Sequence, residues 1–294
     1  MTARVVVVGD VMLDVRCRLA APIVPGDDTP ARITSHAGGA GANTAAGFAR
    51  LGVPVDLVAR IGDDEAGRAA ETELTGLGVV CRFAVDPDRP TGRVIVLVGP
   101  DGERTMVSDR GANAGLGPAD TALPPGPGHL HLSGYVLLDD ESRAAGRAAL
   151  RAARTAGWTT SVDPQTAAGV ATVGADRFLG WVAGVDLLLP NEAECVALGG
   201  PVRLLEAAGA VAVTRGAGGA SWYAPAADRH VTVEQVSGGR GGAAPDADTV
   251  GAGDAFDAGF LAAWLRGAEP LPALAAGVAA GTSVAGRRAA RSVD

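Results

Sequence analysis

The residues with the clearest chemical potential are a glycine pair and a carboxylate ahead of an apolar stretch. Gly251, Ala252, Gly253 and Asp254 precede a predicted helix over residues 255–265. Glycine lets the backbone bend with its N–H groups directed outward, and the positive end of a helix adds to their attraction for an anion. The spacing predicts a phosphoryl-binding turn, with Asp254 placed as a base for an attacking hydroxyl. An aspartate that caps a helix behind a glycine turn is the structural alternative.

A second glycine-rich segment leads into another predicted helix. Gly38 and Gly39 precede Asn43, and helical signals continue over residues 41–51 until a glycine and a proline end them. Glycines allow close approach of the backbone, while carboxylate and amide groups grip a polyol by accepting and donating hydrogen bonds in pairs. Two glycine-rich loops therefore open onto two helices in this chain.

Asn191 and Glu194 lie three positions apart at the predicted start of a helix. This spacing puts both side chains on one face of the helix. Their oxygens suit Mg²⁺, which prefers oxygen ligands and keeps several waters. The same spacing is equally that of a capping box, in which the two residues satisfy the free backbone groups of the helix end. The residues alone leave both interpretations open.

The composition excludes two kinds of chemistry. All 25 cationic residues of the 294-residue chain are arginine, because no lysine occurs in the sequence. A P-loop kinase needs a lysine on its phosphates, and Schiff-base chemistry needs a lysine amine, so both classes are excluded. Any phosphate bound here must be held by backbone, arginine or metal.

Charge and cysteine content indicate a soluble cytoplasmic protein that binds neither nucleic acid nor membrane. The net charge of -8 and the pI near 5.0 argue against a nucleic-acid partner, since no arginine-rich run with aromatics occurs. The three cysteines are odd in number and lack the paired spacing of a zinc site. We expect no signal segment and no membrane span, because no uninterrupted apolar run reaches about 18 residues.

Short β-branched runs alternate with alanine-rich helical stretches along the chain. This pattern predicts an α/β protein with a mostly parallel, Rossmann-like sheet between two layers of helices. The predicted strands cover residues 5–8, 55–59, 130–132, 159–162, 187–189 and 211–213. The predicted helices cover residues 41–51, 66–77, 141–156, 255–265 and 271–286.

Two stretches depart from this alternation. Residues 93–98 and 103–107 flank a Pro-Asp-Gly hairpin signal, and residues 16–19 and 32–35 have the pattern of two further short strands. They predict a small β-sheet appended to the main body, built from segments at about 14–36 and 92–108. A pair of surface hairpins without a common role is the alternative. We predict one domain over residues 1–294 that includes this appendage.

Together these motifs resemble the ribokinase-like (PfkB) family of sugar and nucleoside kinases, over nearly the whole chain. The two glycine-rich signatures occur in the family's order. The further matches are Gly9-Asp10 with Asp14, Ile61-Gly62-Asp63-Asp64 with Gly67, Asn191-Glu192-Ala193-Glu194, and Thr214-Arg215-Gly216 before Gly218-Gly219-Ala220. The resemblance implies that the small sheet is a lid over the acceptor substrate and that two lids pair in a homodimer.

The resemblance also implies roles for individual residues. Asp254 would be the catalytic base, and the backbone of Gly251, Ala252 and Gly253 would form the anion hole. The acceptor sugar would contact Asp14, Gly38, Gly39 and Asn43. Nucleotide binding would involve Asn191, Thr214, Gly216 and Thr249. Glu194 would organise Mg²⁺ through water, and Asp248 would neighbour a monovalent cation such as K⁺.

We therefore expect an ATP-dependent kinase that phosphorylates a hydroxymethyl group of a small sugar or sugar acid, with Mg²⁺ carried by the nucleotide. A nucleoside kinase of the same family is the nearest alternative, although the predicted lid strands contain no aromatic residue to stack a base. Arginines at 16, 18, 93, 104 and 110 leave room for an acidic acceptor such as a sugar acid or phosphosugar. A non-catalytic sugar-binding regulator would be expected to lose Asp254 or its glycines. A dinucleotide oxidoreductase would need a Gly-x-G-x-x-Gly turn after the first strand, which is missing.

Overall fold

The computed structural model describes residues 4–101, 103–226, 231–237 and 250–290. Its strands are β1 Arg4–Val8, β2 Met12–Leu19, β3 Ala31–Gly38, β4 Val55–Gly62, β5 Val80–Asp86, β6 Gly92–Val98, β7 Arg104–Asp109, β8 Gly128–Ser133, β9 Thr159–Asp163, β10 Val185–Leu188, β11 Ala208–Thr214, β12 Ala220–Pro225 and β13 Val231–Val236. Its α-helices are α1 Ala40–Arg50, α2 Glu65–Gly76, α3 Tyr135–Leu138, α4 Arg143–Thr155, α5 Ala167–Val173, α6 Ala175–Val182, α7 Glu192–Ala197, α8 Pro201–Leu204, α9 Ala252–Trp264 and α10 Pro270–Ala290.

The main sheet has nine strands in the order β13-β12-β11-β10-β9-β8-β1-β4-β5. The seven strands from β11 to β5 pair in parallel, and β12 and β13 add an antiparallel edge. The carboxyl ends of parallel strands meet at one edge of a sheet, which is where α/β proteins bind their ligands. The predicted fold class is therefore confirmed, whereas the antiparallel edge and β5 were not predicted.

Alternate side chains of the central strands pack on opposite faces of this sheet. In β1, Val5 and Val7 belong to the core beneath α1, α2, α9 and α10, whereas Val6 and Val8 belong to the core beneath α4 and α6. All four valines are fully buried. Burial on both faces explains why the strand reads as a continuous apolar run and not as an alternating one.

Local signals fix several helix boundaries close to their predicted positions. Asp64 caps α2 by accepting a hydrogen bond from the Gly67 N–H at 2.9 Å. Helix α9 begins at Ala252, three residues before the predicted start, because Gly251 adopts a left-handed conformation that ends the preceding turn. This earlier start puts Asp254 at the third position of the helix. Among the described helices, none is long and apolar enough to cross a membrane.

The second sheet has four strands in the order β3-β2-β6-β7 and corresponds to the predicted lid. Strands β2 and β6 pair in parallel, and the outer pairs are antiparallel. Because cross-strand neighbours share a face, the register divides the side chains into two sets. The inner lid face carries the charged and imidazole side chains Asp14, Arg16, Arg18, Arg32, His36 and Arg104 together with the apolar Val94, Val96, Val98 and Met106. The outer lid face is mainly apolar and carries Val15, Cys17, Ile33, Ile95, Leu97 and Val107, with Arg93 at its margin.

Candidate active site

The first turn of α9 forms one wall of the candidate site. Gly251 is the N-cap of this helix, with φ 77, and the helical positions that follow are Ala252, Gly253 and Asp254. The first N–H groups of a helix have no partner within it, so this turn offers donors to an anion. A Cβ atom built at Gly253 would meet nothing within 4 Å, so the backbone faces open space there.

Asn43 connects this turn to the second glycine-rich loop. Its Nδ2 donates a hydrogen bond to Oδ2 of Asp254 at 2.9 Å. Asp254 is 8% exposed, so this contact is shielded from most of the solvent. The amide donor holds the carboxylate in one orientation, which suits a side chain that must meet a hydroxyl group at a fixed point.

The predicted acceptor residues lie around the N-terminus of α1. A Cβ atom at Gly38 would lie 2.4 Å from the carboxyl atoms of Asp14, and Gly39 adopts φ 95 with its Cβ position 2.5 Å from the Asp10 carbonyl oxygen. Both positions therefore require glycine for packing alone. Asp14 is 6% exposed and its carboxyl group reaches the start of α1, the helix that also carries Asn43.

Asn191 and Glu194 form the capping box that their spacing allowed. Glu194 accepts hydrogen bonds from the Asn191 backbone N–H at 2.9 Å and from its Nδ2 at 2.6 Å, while the Glu194 N–H donates to Asn191 Oδ1 at 2.9 Å. Burial raises the pKa of Glu194 to about 7, and the charge of Asp254 adds to this rise. The influence of Asp254 shows that the capping box and the α9 turn belong to one electrostatic site.

The other predicted nucleotide residues follow the same sheet edge. Thr214 ends β11, pairs with Asn191 in an isolated bridge, and donates its N–H to the Pro190 carbonyl oxygen at 3.0 Å. Gly216, with φ 52, opens the short turn that follows. Asp248 and Thr249 lie outside the described residues.

Two arginines near the candidate site, Arg110 and Arg215, are held by neighbouring side chains. Arg110 holds Asp10 through two hydrogen bonds of 2.7 and 3.0 Å and contacts Asp139 at 2.9 Å. Arg215 donates to Ser221 and, at 2.8 Å, to the Tyr223 hydroxyl. Asp10 lies just before β2 and Arg110 lies just after β7, whereas Asp139 belongs to the main body. Arg110 therefore connects the ends of two lid strands to the main body.

The sequence interpretation missed two buried acids beneath this site. Asp163 ends β9 at 8% exposure, and Asp257 lies one turn after Asp254 at 2% exposure. Their side chains are hydrogen-bonded to each other. Asp163 follows a predicted strand directly, and a carboxylate at the carboxyl end of a strand was a usable signal for a site residue. Asp257 carried no such signal, because it is a single polar residue within a predicted apolar helix.

Tyr135 was also missed. It begins α3 directly after β8, at the same edge of the sheet. Burial raises the pKa of its phenol to about 12, and nearby negative charge contributes; the acids responsible are Asp163, Asp254, Asp10 and Glu194. Tyr135 therefore lies within electrostatic range of these four acids.

Comparison with known proteins identifies kinases that match this chain over nearly its whole length. The chain is 33% identical over 302 aligned residues, 98% of its length and 94% of the relative's, to an ATP-dependent ribose-1-phosphate kinase of Halopiger xanaduensis. The fold matches an adenosine kinase structure from Sinorhizobium meliloti with a TM-score of 0.81 and 24% identity, covering 97% of this chain and 94% of that one. A ribokinase of Cryptococcus neoformans, solved with ADP, matches with a TM-score of 0.74 and 26% identity over 96% and 94% of the two chains.

The sequence model of one family describes almost the whole molecule. The pfkB family carbohydrate kinase model matches residues 2–294, which include both glycine-rich loops, the lid segments and the capping box. The resemblance seen in the motifs is thereby confirmed. This chain belongs to the PfkB family of carbohydrate kinases.

Proposed function

We propose that this kinase transfers a phosphoryl group from MgATP to a hydroxymethyl group of a small sugar that carries its own negative charge, a sugar phosphate or sugar acid. The inner lid face carries this proposal, because it holds four guanidinium groups and one imidazole against the single carboxylate of Asp14. Arginine recognises phosphate and carboxylate groups through paired hydrogen bonds. The relative named as a ribose-1-phosphate kinase, which acts on a sugar phosphate, supports the same acceptor class.

The strand register limits which arginines can contact the anionic group of the acceptor. Arg93 lies opposite Leu13 and therefore belongs to the outer lid face, and Arg110 is occupied by Asp10. Arg16 and Arg18 follow Asp14 at alternate positions of β2, so they share its face. The acceptor's hydroxyl groups would contact Asp14, Gly38, Gly39 and Asn43, with its anionic group toward these arginines.

Asp254 would act as the base in this reaction. It would take the proton of the attacking hydroxyl while the N–H groups of Gly251, Ala252 and Gly253 stabilise the transferred phosphoryl group. Phosphoryl transfer depends mainly on alignment and charge neutralisation, and the helix terminus together with the Asn43 contact supplies both. The buried carboxylate is therefore held ready for proton transfer before substrate binds.

Magnesium would be organised by Asn191 and Glu194, because carboxylate and amide oxygens suit this ion. Both Glu194 oxygens already accept hydrogen bonds from Asn191, so contact through water fits the site better than direct ligation. Within the described ranges, no cluster of three or more metal-binding side chains occurs. Bound Mg²⁺ would neutralise charge on the nucleotide phosphates.

The nucleotide is proposed to lie along Asn191, Thr214, Gly216 and Thr249. The match to a ribokinase solved with ADP supports an adenine nucleotide as a ligand of this kinase. A monovalent cation such as K⁺ beside Asp248 would complete the electrostatic environment of the phosphates.

We also propose a homodimer formed through the outer lid face, with lid and body acting as one kinase domain in the cytoplasm. The outer face exposes Ile33, Ile95 and Val107 by 63%, 43% and 57%, which is unfavourable in water. A second lid would cover these side chains. All three cysteines are free thiols, which suits a reducing compartment that also supplies ATP.

An acceptor panel tests the proposed substrate class. The protein is incubated with MgATP and ribose 1-phosphate, a six-carbon sugar acid, ribose, fructose or adenosine, and ADP release is measured. We expect kcat/KM for one of the anionic acceptors to exceed that for every uncharged compound by about 10-fold or more, the scale of one charge-assisted contact. Equal or greater efficiency with an uncharged sugar or with adenosine would overturn the proposal.

Removal of one lid charge gives a second test with a matched control. Arg16→Met should raise KM for the anionic acceptor by about 10-fold while KM for ATP changes little. Arg68→Met removes an arginine of α2 that is paired with Asp63 at the surface and should leave both constants unchanged. An unchanged acceptor KM in the Arg16 variant would count against recognition by this face.

A further inference from the structure

A buried acid pair lies directly under the proposed base. Asp257 follows Asp254 by one turn of α9, and its carboxyl group is hydrogen-bonded to Asp163 at the end of β9. The two side chains are 2% and 8% exposed. Two carboxylates in contact without solvent repel each other strongly, so a pair of this kind holds a proton.

The hydrogen bonds around the pair decide which member is ionised. Gln165 donates its backbone N–H to Oδ1 of Asp163 at 2.8 Å and its side-chain Nε2 to Oδ2 at 2.8 Å. Both oxygens of Asp163 thus accept from amide groups, which is the pattern of a carboxylate. The hydrogen bond between the acids must then be donated by Asp257.

Backbone strain indicates that this arrangement is imposed by its surroundings. Gln165 is the only non-glycine residue with positive φ among the described residues, at φ 72. Such a conformation is strained and persists where other contacts enforce it. Here the strained residue encloses the Asp163 carboxylate with two donors.

The second oxygen of Asp257 has the surroundings of a neutral acid. Its Oδ2 lies 3.8 Å from Nε2 of His131, and neither atom has a hydrogen-bond partner. Burial lowers the pKa of His131 to about 4, so the imidazole is neutral at physiological pH. An ionised Asp257 would therefore face no cation.

The remaining charges near Asp257 favour the same state. Burial raises the pKa of Asp257 well above the ordinary range, and the charges of Asp163, Asp254 and Glu194 raise it further. Burial and the charges of Glu194 and Asp254 also raise the pKa of Asp163, but the Gln165 backbone N–H and the hydrogen bond with Asp257 act in the opposite direction. The proton therefore resides on Asp257.

We propose that Asp257 is a positioning residue that works as a neutral carboxylic acid, donating a hydrogen bond to the Asp163 carboxylate and thereby fixing the first turns of α9 against the end of β9. Asp254 and its neighbouring N–H groups belong to those turns, so the pair sets their orientation. The neutral form also keeps an additional negative charge away from the transferred phosphoryl group. The kinetic consequences rest on the proposed role of Asp254, whereas the proton's location does not.

Substitutions that separate hydrogen bonding from charge test this inference. Asparagine has nearly the shape of a protonated aspartic acid and can donate to Asp163, so Asp257→Asn should lower kcat by no more than about threefold. Asp257→Ala leaves Asp163 without that donor and should lower kcat by about 10-fold or more, with KM for both substrates little changed. Equal losses in the two variants would overturn the positioning role.

Infrared spectroscopy locates the proton independently of activity. The wild-type enzyme at neutral pH should show the carbonyl band of a buried carboxylic acid, shifted by ¹³C-aspartate labelling and absent from Asp257→Asn. The band should persist in folded Asp163→Asn. Its absence from the wild-type enzyme, or its persistence in Asp257→Asn, would overturn the assignment. An Asp254→Asn enzyme that retained full activity would refute the proposed base and leave the infrared result unaffected.

Discussion

Asn43 in α1 donates a hydrogen bond to Asp254 in α9 at 2.9 Å, joining residues 211 positions apart in the chain. The contact links the acceptor-side glycine loop to the phosphoryl-side helix terminus. A shift of either helix would therefore misplace the carboxylate. This relationship explains how two separate glycine-rich motifs act as one site.

Loss of the Asp254 carboxylate should abolish most of the turnover without unfolding the protein. Asp254→Asn keeps the side chain's shape and its contact with Asn43 but cannot accept the proton, so kcat should fall by about 100-fold or more. Circular dichroism and ADP release measure fold and turnover. Asn43→Ala removes both the donor that orients the carboxylate and one proposed acceptor contact, so it should reduce kcat by about 10-fold and raise KM for the acceptor. A folded Asp254→Asn enzyme with near-normal kcat would refute the base assignment.

The two glycines of the α9 turn should respond differently to alanine. Gly251 has φ 77, and a Cβ there would lie 3.2 Å from Asn43 Nδ2, so Gly251→Ala should reduce the free energy of unfolding by about 1 kcal/mol or more. Gly253 is helical, and its Cβ position contacts nothing, so Gly253→Ala should change stability by less than about 0.5 kcal/mol. Urea denaturation measures both. Equal destabilisation by the two substitutions would contradict the described turn.

Neutralising Glu194 should weaken the use of magnesium more than it weakens the fold. Glu194→Gln retains one acceptor for the capping box but loses the charge, so the Mg²⁺ concentration for half-maximal activity should rise by about 10-fold or more. The control is Glu192→Gln on the same helix, where the side chain is largely exposed and lies 3.6 Å from Arg215. Identical Mg²⁺ dependence in both variants would show that the capping box is only structural.

A charge on the outer lid face should separate the proposed dimer. Ile95 is flanked by Val15 and Val107 in the centre of this face, so Ile95→Glu would place a carboxylate in the buried interface. Sedimentation velocity should show monomers of the variant at concentrations where the parent is dimeric. Val80→Glu, at a similarly exposed position in β5, is the control and should remain dimeric. A monomeric parent protein would refute the lid interface.

The sequence predicted those features that depend on local signals. The glycine turns, the start of α2 and the alternation of strands and helices each arise within a few residues, and they lie near their predicted positions. The contacts of Arg110 with Asp10 and of Asp257 with Asp163 span about a hundred residues, and only the assembled sheet brings them together. Burial also decides the protonation state of Asp257. A single aspartate within an apolar helical sequence does not reveal how deeply its side chain is buried.

Two buried histidines should make stability depend on acid pH in a predictable direction. Burial lowers the pKa of His129 to about 3 and that of His131 to about 4, whereas an unfolded histidine titrates near 6.5. The unfolded chain therefore binds more protons as pH falls below about 6.5, and the histidine contribution to the free energy of unfolding decreases. Glu194, whose pKa is raised to about 7, contributes with the opposite sign, so the histidine effect must be isolated by difference.

His129→Gln isolates that effect. Glutamine can preserve the contact with Ser161 Oγ, which lies 2.8 Å from His129 Nε2, but it does not titrate. Between pH 6.5 and 5 the parent should lose about 1.6 kcal/mol more unfolding free energy than the variant, because only the parent has a histidine at this position that takes up a proton when the chain unfolds. Urea denaturation followed by tryptophan fluorescence at the two pH values measures the difference. Parallel losses in parent and variant would mean that protons reach His129 in the folded state, and this would contradict the complete burial of its side chain on β8.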